Sequence, residues 1–458
     1  MNAIILSAVW GIVMMYAGVF LKQQSTLKYI AIAGTVLLIV ANWLEFAGIL
    51  YIPIDTKGLS ANSTFGLLFN TIALVSTLFY FLLSGSEIEK INHYTAEYFA
   101  LIFFILSGVA IIAAFQNLLM LFIGIEVISI PLYILAGSDK RNLKSNEASL
   151  KYFLMGAFST GLMLMGIAFL YGATGTFFIA GLNAGLGEPT VLMMLGMVLL
   201  MISMSFKASA APFHFWTPDV YDGTPTVFTS FMATIVKSAV FIAFFRLFDG
   251  AFGKFHPEWQ LLVAIITALT LIIGNVTAVF QQSVKRMLSY SSIAQAGFMM
   301  LSLFALNNTA KEGLLLYVSA YSIATIGIFA VLVKMKDYSF EGFNGLAKQE
   351  PLVALALCIF LLSLAGIPLT AGFFSKYYLL AAAIKAKTMF WLIIVAVICA
   401  AISVTYYFRV IQAMYFKESD QPALMPVTNG FKVMLVITAV VILMIGIKPS
   451  LLLSLLSL

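Results

Sequence analysis

The stretch Val191-Leu-Met-Met-Leu-Gly-Met-Val-Leu-Leu-Met-Ile-Ser-Met-Ser-Phe-Lys207-Ala-Ser-Ala-Ala211-Pro212-Phe213-His214 decides the fold. Up to Phe206 it is continuously apolar or small and shows no alternation, so it reads as a helix able to enter a bilayer rather than a half-exposed strand. The run closes on a lysine and then on Pro212, which lacks an N–H and cannot continue a helix interior. At membrane depth such a break is tolerated only where protein or a water-lined cavity satisfies the freed backbone groups.

The rest of the chain has the same character. Of 458 residues, 62% are hydrophobic and 10% charged, against roughly 45–50% and 25% in soluble domains. A β-barrel would show alternating segments of about 10 residues, whereas these runs are continuous. The fold class expected is therefore all-α integral membrane, with about 14 transmembrane helices. They fall near 3–21, 29–50, 62–84, 98–114, 117–136, 148–171, 190–208, 225–249, 259–280, 285–305, 311–334, 351–383, 389–416 and 430–456. The seventh runs into Ala211-Pro212-Phe213-His214, and the overlong twelfth is interrupted at Gly366-Ile367-Pro368. Residues 1–97 hold helices 1–3, residues 98–249 a first five-helix repeat, residues 259–416 a second, and residues 430–458 the last helix. In each repeat the fourth member is broken at proline and carries a lysine. An odd number of helices makes the second repeat enter from the opposite face, which is the inverted architecture of transporters.

The formal net charge of +6 is no nucleic-acid footprint, because the basic residues sit in short loops and read as topology. Loops after odd-numbered helices carry most of them, including Lys140, Arg141, Lys144, Lys285 and Arg286, so both termini are expected outside. The run from Ala3 to Leu21 lacks a basic leader and is followed by Lys22 and Lys28, which predicts a retained helix rather than a cleaved signal. Cys358 and Cys399 lie in apolar runs without CxxC spacing and read as buried thiols. Gly172 to Gly187 has no strand before it and no Lys-Ser/Thr after it. It is expected to be a flexible external loop, not a phosphate loop.

Charges inside the helices carry the functional signal, since a centred lysine or carboxylate costs about 2.5–3.5 kcal/mol even on insertion scales. Glu126 stands alone in the apolar run Leu118–Leu135, Lys237 is the midpoint of Val227–Phe245, Lys207 closes the run from Val191, and Lys376 follows the second break. Singly, each has a structural explanation: a lysine near a helix end snorkels, and a carboxylate serves as a fixed partner. Together, one carboxylate and three lysines in one bundle point to a chain of proton-exchanging sites. Lysine suits the task, because its ordinary pKa of ~10.4 falls by ~3–5 units on burial and recovers beside a carboxylate. Opposite charges ~4 Å apart at an effective dielectric of ~20 attract by about 4 kcal/mol. Approach of Glu126 to Lys207 loads the amine, and separation unloads it. No residue pattern in the chain calls for a metal, flavin or quinone.

The run Lys207-Ala-Ser-Ala-Ala-Pro212-Phe-His214-Phe-Trp216-Thr-Pro218-Asp219-Val-Tyr221-Asp-Gly223-Thr-Pro225-Thr resembles the signature of the antiporter-like membrane subunits of respiratory complex I. Lys285-Arg286-Met-Leu-Ser-Tyr290-Ser-Ser292-Ile-Ala-Gln295 and Ala365-Gly-Ile-Pro368-Leu-Thr-Ala-Gly-Phe-Phe-Ser-Lys376 look like patterns of the same family, and the resemblance spans nearly the whole chain. Within it, the form Trp216-Thr-Pro218-Asp219-Val-Tyr221-Asp-Gly223, a lysine at 376 and no lateral helix after the last span are similar to subunit N rather than M or L.

This resemblance implies a proton-translocating, non-redox subunit of NADH:quinone oxidoreductase, coupling electron transfer in other subunits to proton export. It implies that Glu126, Lys207, Lys237 and Lys376 transfer protons, that His214, Lys285 and Tyr290 lie along the path, and that Pro212 and Pro368 break their helices. NADH, FMN, iron–sulfur clusters and quinone are then expected in partner subunits, with no cofactor or metal in this chain. The partners implied are the other membrane and peripheral subunits of complex I, including its other antiporter-like subunits, in the cell inner (cytoplasmic) membrane. A homo-oligomer is not expected. An alternative is a subunit of a multi-subunit sodium/proton antiporter. A passive scaffold is a third reading, under which the buried charges are dispensable.

Overall fold

In lipid a backbone must satisfy its own polar groups, and the long apolar runs do so as helices. The structure is a computed structural model that describes residues 1–21, 24–184, 190–419 and 423–457. The chain opens with α1 (Asn2–Phe20), α2 (Gln24–Phe46) and α3 (Thr64–Ile88). Next come α4 (Thr95–Ala114), α5 (Leu118–Ala136), α6 (Leu143–Thr174), the short α7 (Ile179–Ala184), α8 (Val191–Lys207), α9 (Trp216–Gly223), α10 (Thr226–Phe231) and α11 (Lys237–Phe252). The second half holds α12 (His256–Val279), α13 (Val284–Ala305), α14 (Asn308–Leu332), the one-turn α15 (Leu346–Gln349), α16 (Pro351–Ala365), α17 (Ala371–Lys385), α18 (Phe390–Phe416), α19 (Asn429–Ile447) and a final turn, α20 (Ser450–Leu453).

Among the described residues eleven helices are long and apolar enough to cross a membrane, with Thr226–Val279 counted as one 54-residue run. At ~1.5 Å per residue that run far exceeds ~30 Å of hydrocarbon. It turns at Gly253–Phe255, and Pro257 follows in the first turn of α12, where its missing N–H is harmless. Val191–Lys207 and Pro351–Ala365 are apolar but shorter, because the breaks cut them. Each interval expected from sequence overlaps helix, though 29–50 and 430–456 run past the ends of α2 at Phe46 and α19 at Ile447. Helix α19 stops at Ile447 because Pro449 disfavours helical geometry at Lys448.

Helix starts are set by polar side chains: Ser63, Asn117, Asn142, Thr190, Asn307 and Thr428 each accept a backbone N–H of the first turn. The Gly172–Gly187 stretch contains α7, which is fixed rather than free: Ile179 N–H donates to the Gln116 carbonyl and Leu118 N–H to the Phe177 carbonyl, both at 3.0 Å. Gly185 and Gly187 of that stretch, and Lys22, lie outside the described residues.

Burial ranks the helices. The apolar window of α14 is 100% buried and that of α13 94%, while α1 reaches 22% and α6 33%. So α13 and α14 form the middle, and α1 and α6 turn most of their surface outward. Where α6 meets α8 the backbones touch: a Cβ added at Gly166 or Gly196 would lie 2.9 Å from the other's carbonyl oxygen. Small residues permit that approach, which is how helices gain packing energy in lipid. Cys399 is buried and Cys358 half-buried, both as free thiols.

Candidate proton-transfer site

Three local failures of the α-helix organise the site. The first follows Lys207: Ser209 takes a φ of +63°, and Pro212 and His214 lie in the non-helical segment ahead of α9. The Ala211 N–H, left without a helical acceptor, donates to Thr270 Oγ1 on α12 at 2.8 Å. The second separates α16 from α17, where Gly366 (φ +86°) and Leu369 (φ +74°) carry the chain through Ile367 and Pro368. The third is a π-helical turn, Met232–Val236, immediately before Lys237. Nothing in the sequence reading anticipates it. π turns insert a residue without needing proline or glycine, and they favour functional positions.

Helix α5 presents Glu126, and α8 brings Lys207 Nζ to 3.9 Å from its Oε1, with the lysine 6% and the glutamate 23% exposed. That separation is an ion pair too long for a hydrogen bond. Hydroxyls serve each partner instead: Thr160 on α6 donates to Glu126 Oε1 at 2.8 Å, and Lys207 donates to Ser129 Oγ at 2.9 Å. The pair is close enough to feel each other's charge yet held apart by two neutral side chains.

Lys237 is buried, with no carboxylate within ion-pair distance among the described residues. Its Nζ donates to the Ser292 carbonyl at 3.0 Å and to Ser292 Oγ, and it stands 5.7 Å from the centre of the Tyr221 ring. Lys376 donates to the carbonyls of Leu364 and Ala365, both at 2.9 Å, and lies 4.7 Å over the Phe298 ring. Those carbonyls end α16 and lack intrahelical partners. A cation there also suits the negative end of the helix dipole.

Between these two lysines lie two hydrogen-bonded polar groups, one around Ser292 and one around Gln295. Tyr321 donates to Ser292 Oγ at 3.2 Å. Further along α13, Gln295 donates to Tyr407 Oη at 3.0 Å and to the Leu364 carbonyl at 3.1 Å, and accepts from Tyr317. A cavity of ≈ 10 Å³ bounded by Gln295, Tyr317, Tyr321, Ser363, Ser375 and Lys376 gives about the room a single water centre requires.

The remaining expected residues divide. His214 is buried in the first break, its ring stacked 4.6 Å from that of Phe215, and its Nδ1 has no hydrogen-bond partner among the described residues. Lys285 donates to the carbonyls of Asp222 (2.7 Å) and Thr224 (2.8 Å), which anchors the end of α9. Tyr290 sits half-buried against the apolar core. Sequence reasoning missed Ser129, Thr160, Tyr317, Tyr321 and Tyr407. A lone hydroxyl barely lowers the hydropathy of a run, so no pattern flags it. It also missed Glu87, which is buried at the end of α3 and accepts from Lys334 and, at 2.9 Å, from Lys90.

A family described as NADH:quinone oxidoreductase/Mrp antiporter, TM, matches residues 115–403, the interval holding both breaks and Lys207, Lys237 and Lys376. NADH-quinone oxidoreductase subunit N of Cytophaga hutchinsonii is 39% identical over 459 residues, covering 99% of each chain. The chain belongs to the NADH-quinone oxidoreductase subunit N family. Its counterpart in Flavobacterium psychrophilum is 36% identical, with 100% of both chains covered. Among solved structures, a chain of respiratory complex I from Thermus thermophilus with bound aureothin is 32% identical and superposes with a TM-score of 0.85 over 99% of each chain. A chain of the Mrp complex from a Dietzia species gives a TM-score of 0.88 at 19% identity, covering 99% of this chain and 96% of that one. That second likeness concerns fold alone.

Proposed function

We propose that this chain is a proton-translocating subunit of a NADH:quinone oxidoreductase, with protons passing along Glu126, Lys207, Lys237 and Lys376. The observation that carries this is that Lys207, Lys237 and Lys376 each sit at an irregular helix and are held by neutral groups. Ser129 holds Lys207, Ser292 holds Lys237, and two helix-end carbonyls hold Lys376. Such partners stabilise an ammonium without locking the proton in place as a direct carboxylate contact does. The chain acts as a non-redox part of the translocase, embedded among the other membrane subunits. NADH, FMN, iron–sulfur clusters and quinone act in partner subunits.

Glu126 and Lys207 form the switch. Shortening their 3.9 Å separation favours the ammonium, and lengthening it favours release toward Lys237. The polar groups around Ser292 and Gln295 then link Lys237 to Lys376. Residues 98–249 and 259–416 act as inverted repeats, each contributing one break and one lysine beside it. Both termini face the outside of the inner membrane, and the loops holding Lys140, Arg141, Lys144, Lys285 and Arg286 face the cytoplasm.

The test uses the whole complex reconstituted in vesicles, with NADH oxidation and lumenal acidification followed together. Lys237→Met and Lys376→Met should each depress acidification per NADH oxidised while the complex assembles. Normal acidification in both variants sinks the pathway. Replacing sodium by choline should leave acidification unchanged, whereas a sodium/proton antiporter subunit would lose it.

A further inference from the structure

Two cavities outside the lysine row are both bordered by α6. One, of about 240 Å³, lies at the start of α6 and is bordered by Lys144, Glu147 and Lys151, by Asp219 and Asp222 of α9, and by Arg286 of α13. The other, of about 520 Å³, lies farther along α6, a volume typical of small-molecule sites. Leu154, Phe158 and Leu162 form its α6 wall. Ile202 and Phe206 of α8, with Phe213 and Phe215 of the first break, form the other. Positions 144, 147, 151, 154, 158 and 162 recur every three or four residues, so they lie along one face of α6. Asp219 and Phe215 stand in the same relation on the opposite wall. A charged mouth therefore lies beside an apolar slot, about one helical turn (~5 Å) along the same helix face.

From this we infer that the chain binds a zwitterionic glycerophospholipid with a primary-ammonium headgroup, its phosphate in the mouth and one acyl chain in the slot. The mouth balances three cationic side chains against three carboxylates, so it suits a headgroup that carries both signs. Lys144, Lys151 and Arg286 supply donors for the phosphate, and Glu147, Asp219 and Asp222 accept from the ammonium. A choline headgroup has no N–H to offer. The present pairs, Lys151 with Glu147 (2.6 Å) and Asp219 (3.1 Å) and Arg286 with Asp219 (3.2 Å), are 36–62% exposed and hence weak enough to exchange for headgroup contacts. The slot is apolar, opens on the outward-facing side of α6, and has Phe158 and Phe215 about 70% exposed at its rim. An acyl chain there covers the break at Pro212 from the lipid side. None of these contacts involves the lysine row, so the inference stands apart from the proton pathway.

The experiment is photo-crosslinking of the intact complex in lipid nanodiscs, using phosphatidylethanolamine with a diazirine in one acyl chain. Labelled peptides should fall within 154–162 and 202–215. Phosphatidylcholine and phosphatidylglycerol carrying the same diazirine should label them several-fold less. Filling the slot with Leu162→Trp, or with Ile202→Phe if the first variant fails to assemble, should lower labelling by more than about tenfold. Lys151→Gln combined with Arg286→Gln should lower it by about fivefold. Equal labelling by all three headgroups, labelling that survives a filled slot, or a helix of a neighbouring subunit seated there in the complex would each overturn the inference.

Discussion

At Glu126 and Lys207 the chemistry turns on a gap of 3.9 Å, bridged by no hydrogen bond and flanked by Thr160 and Ser129. The two hydroxyls fix how far apart the charges rest, so removing one should move the pair without removing either charge. Glu126→Gln deletes the attraction, and acidification driven by NADH should fall at least about tenfold, the effect of ~1.4 kcal/mol on a barrier. Lys207→Arg keeps the charge in a group that does not deprotonate in this range. It should assemble normally, oxidise NADH, and fail to pump; wild-type acidification in that variant would make Lys207 a structural charge. Thr160→Val should act in the same direction as Glu126→Gln but more weakly, because the carboxylate survives. Vesicle acidification normalised to NADH oxidation reads all three.

Among the elements, the two breaks and the π turn set where the lysines stand. Thr270→Val leaves the Ala211 N–H buried without an acceptor, a loss of about 1–3 kcal/mol. The purified complex should unfold at a lower temperature, and Thr270→Ser should restore it. Both breaks were legible in the sequence because Pro212 and Pro368 interrupt apolar runs with a residue that has no N–H to donate and that disfavours the helix interior. The buried lysines and Glu126 were legible for a related reason: an ionisable group in such a run stands out. The π turn at Met232–Val236 was not, since its residues are ordinary helix formers and only tertiary packing selects the wider turn. The hydroxyl row from Ser292 to Tyr407 escaped notice as well. Tyrosine and serine blend into membrane helices, and their alignment depends on how α13, α14 and α18 cross. The short α7 shows the converse. A glycine-rich stretch read as loose is held by backbone bonds to the start of α5 that no local pattern announces.

Over the whole molecule, the first three helices are tied to the second half by Glu87, which accepts from Lys334 beyond the end of α14. Both are largely buried, at 6% and 11% exposure, so deleting Glu87 strands Lys334, whereas Glu87 keeps Lys90 if Lys334 is lost. Glu87→Ala should destabilise by about 3–5 kcal/mol and reduce the amount of assembled complex on a native gel. Glu87→Ala with Lys334→Met should recover much of it. Topology is open to a separate check. In a Cys358→Ser, Cys399→Ser background, a cysteine at position 140 should react with a membrane-impermeant maleimide only from the cytoplasmic face. Reaction from the outside would reverse the assigned orientation. The bond from Ala211 to Thr270 has a further consequence for anyone recombining these proteins. A chimera that takes its two halves from different parents would inherit a gap in one backbone and the hydroxyl that fills it from separate lineages, and the graft should hold only where the donor of residues 259–416 supplies serine or threonine at position 270.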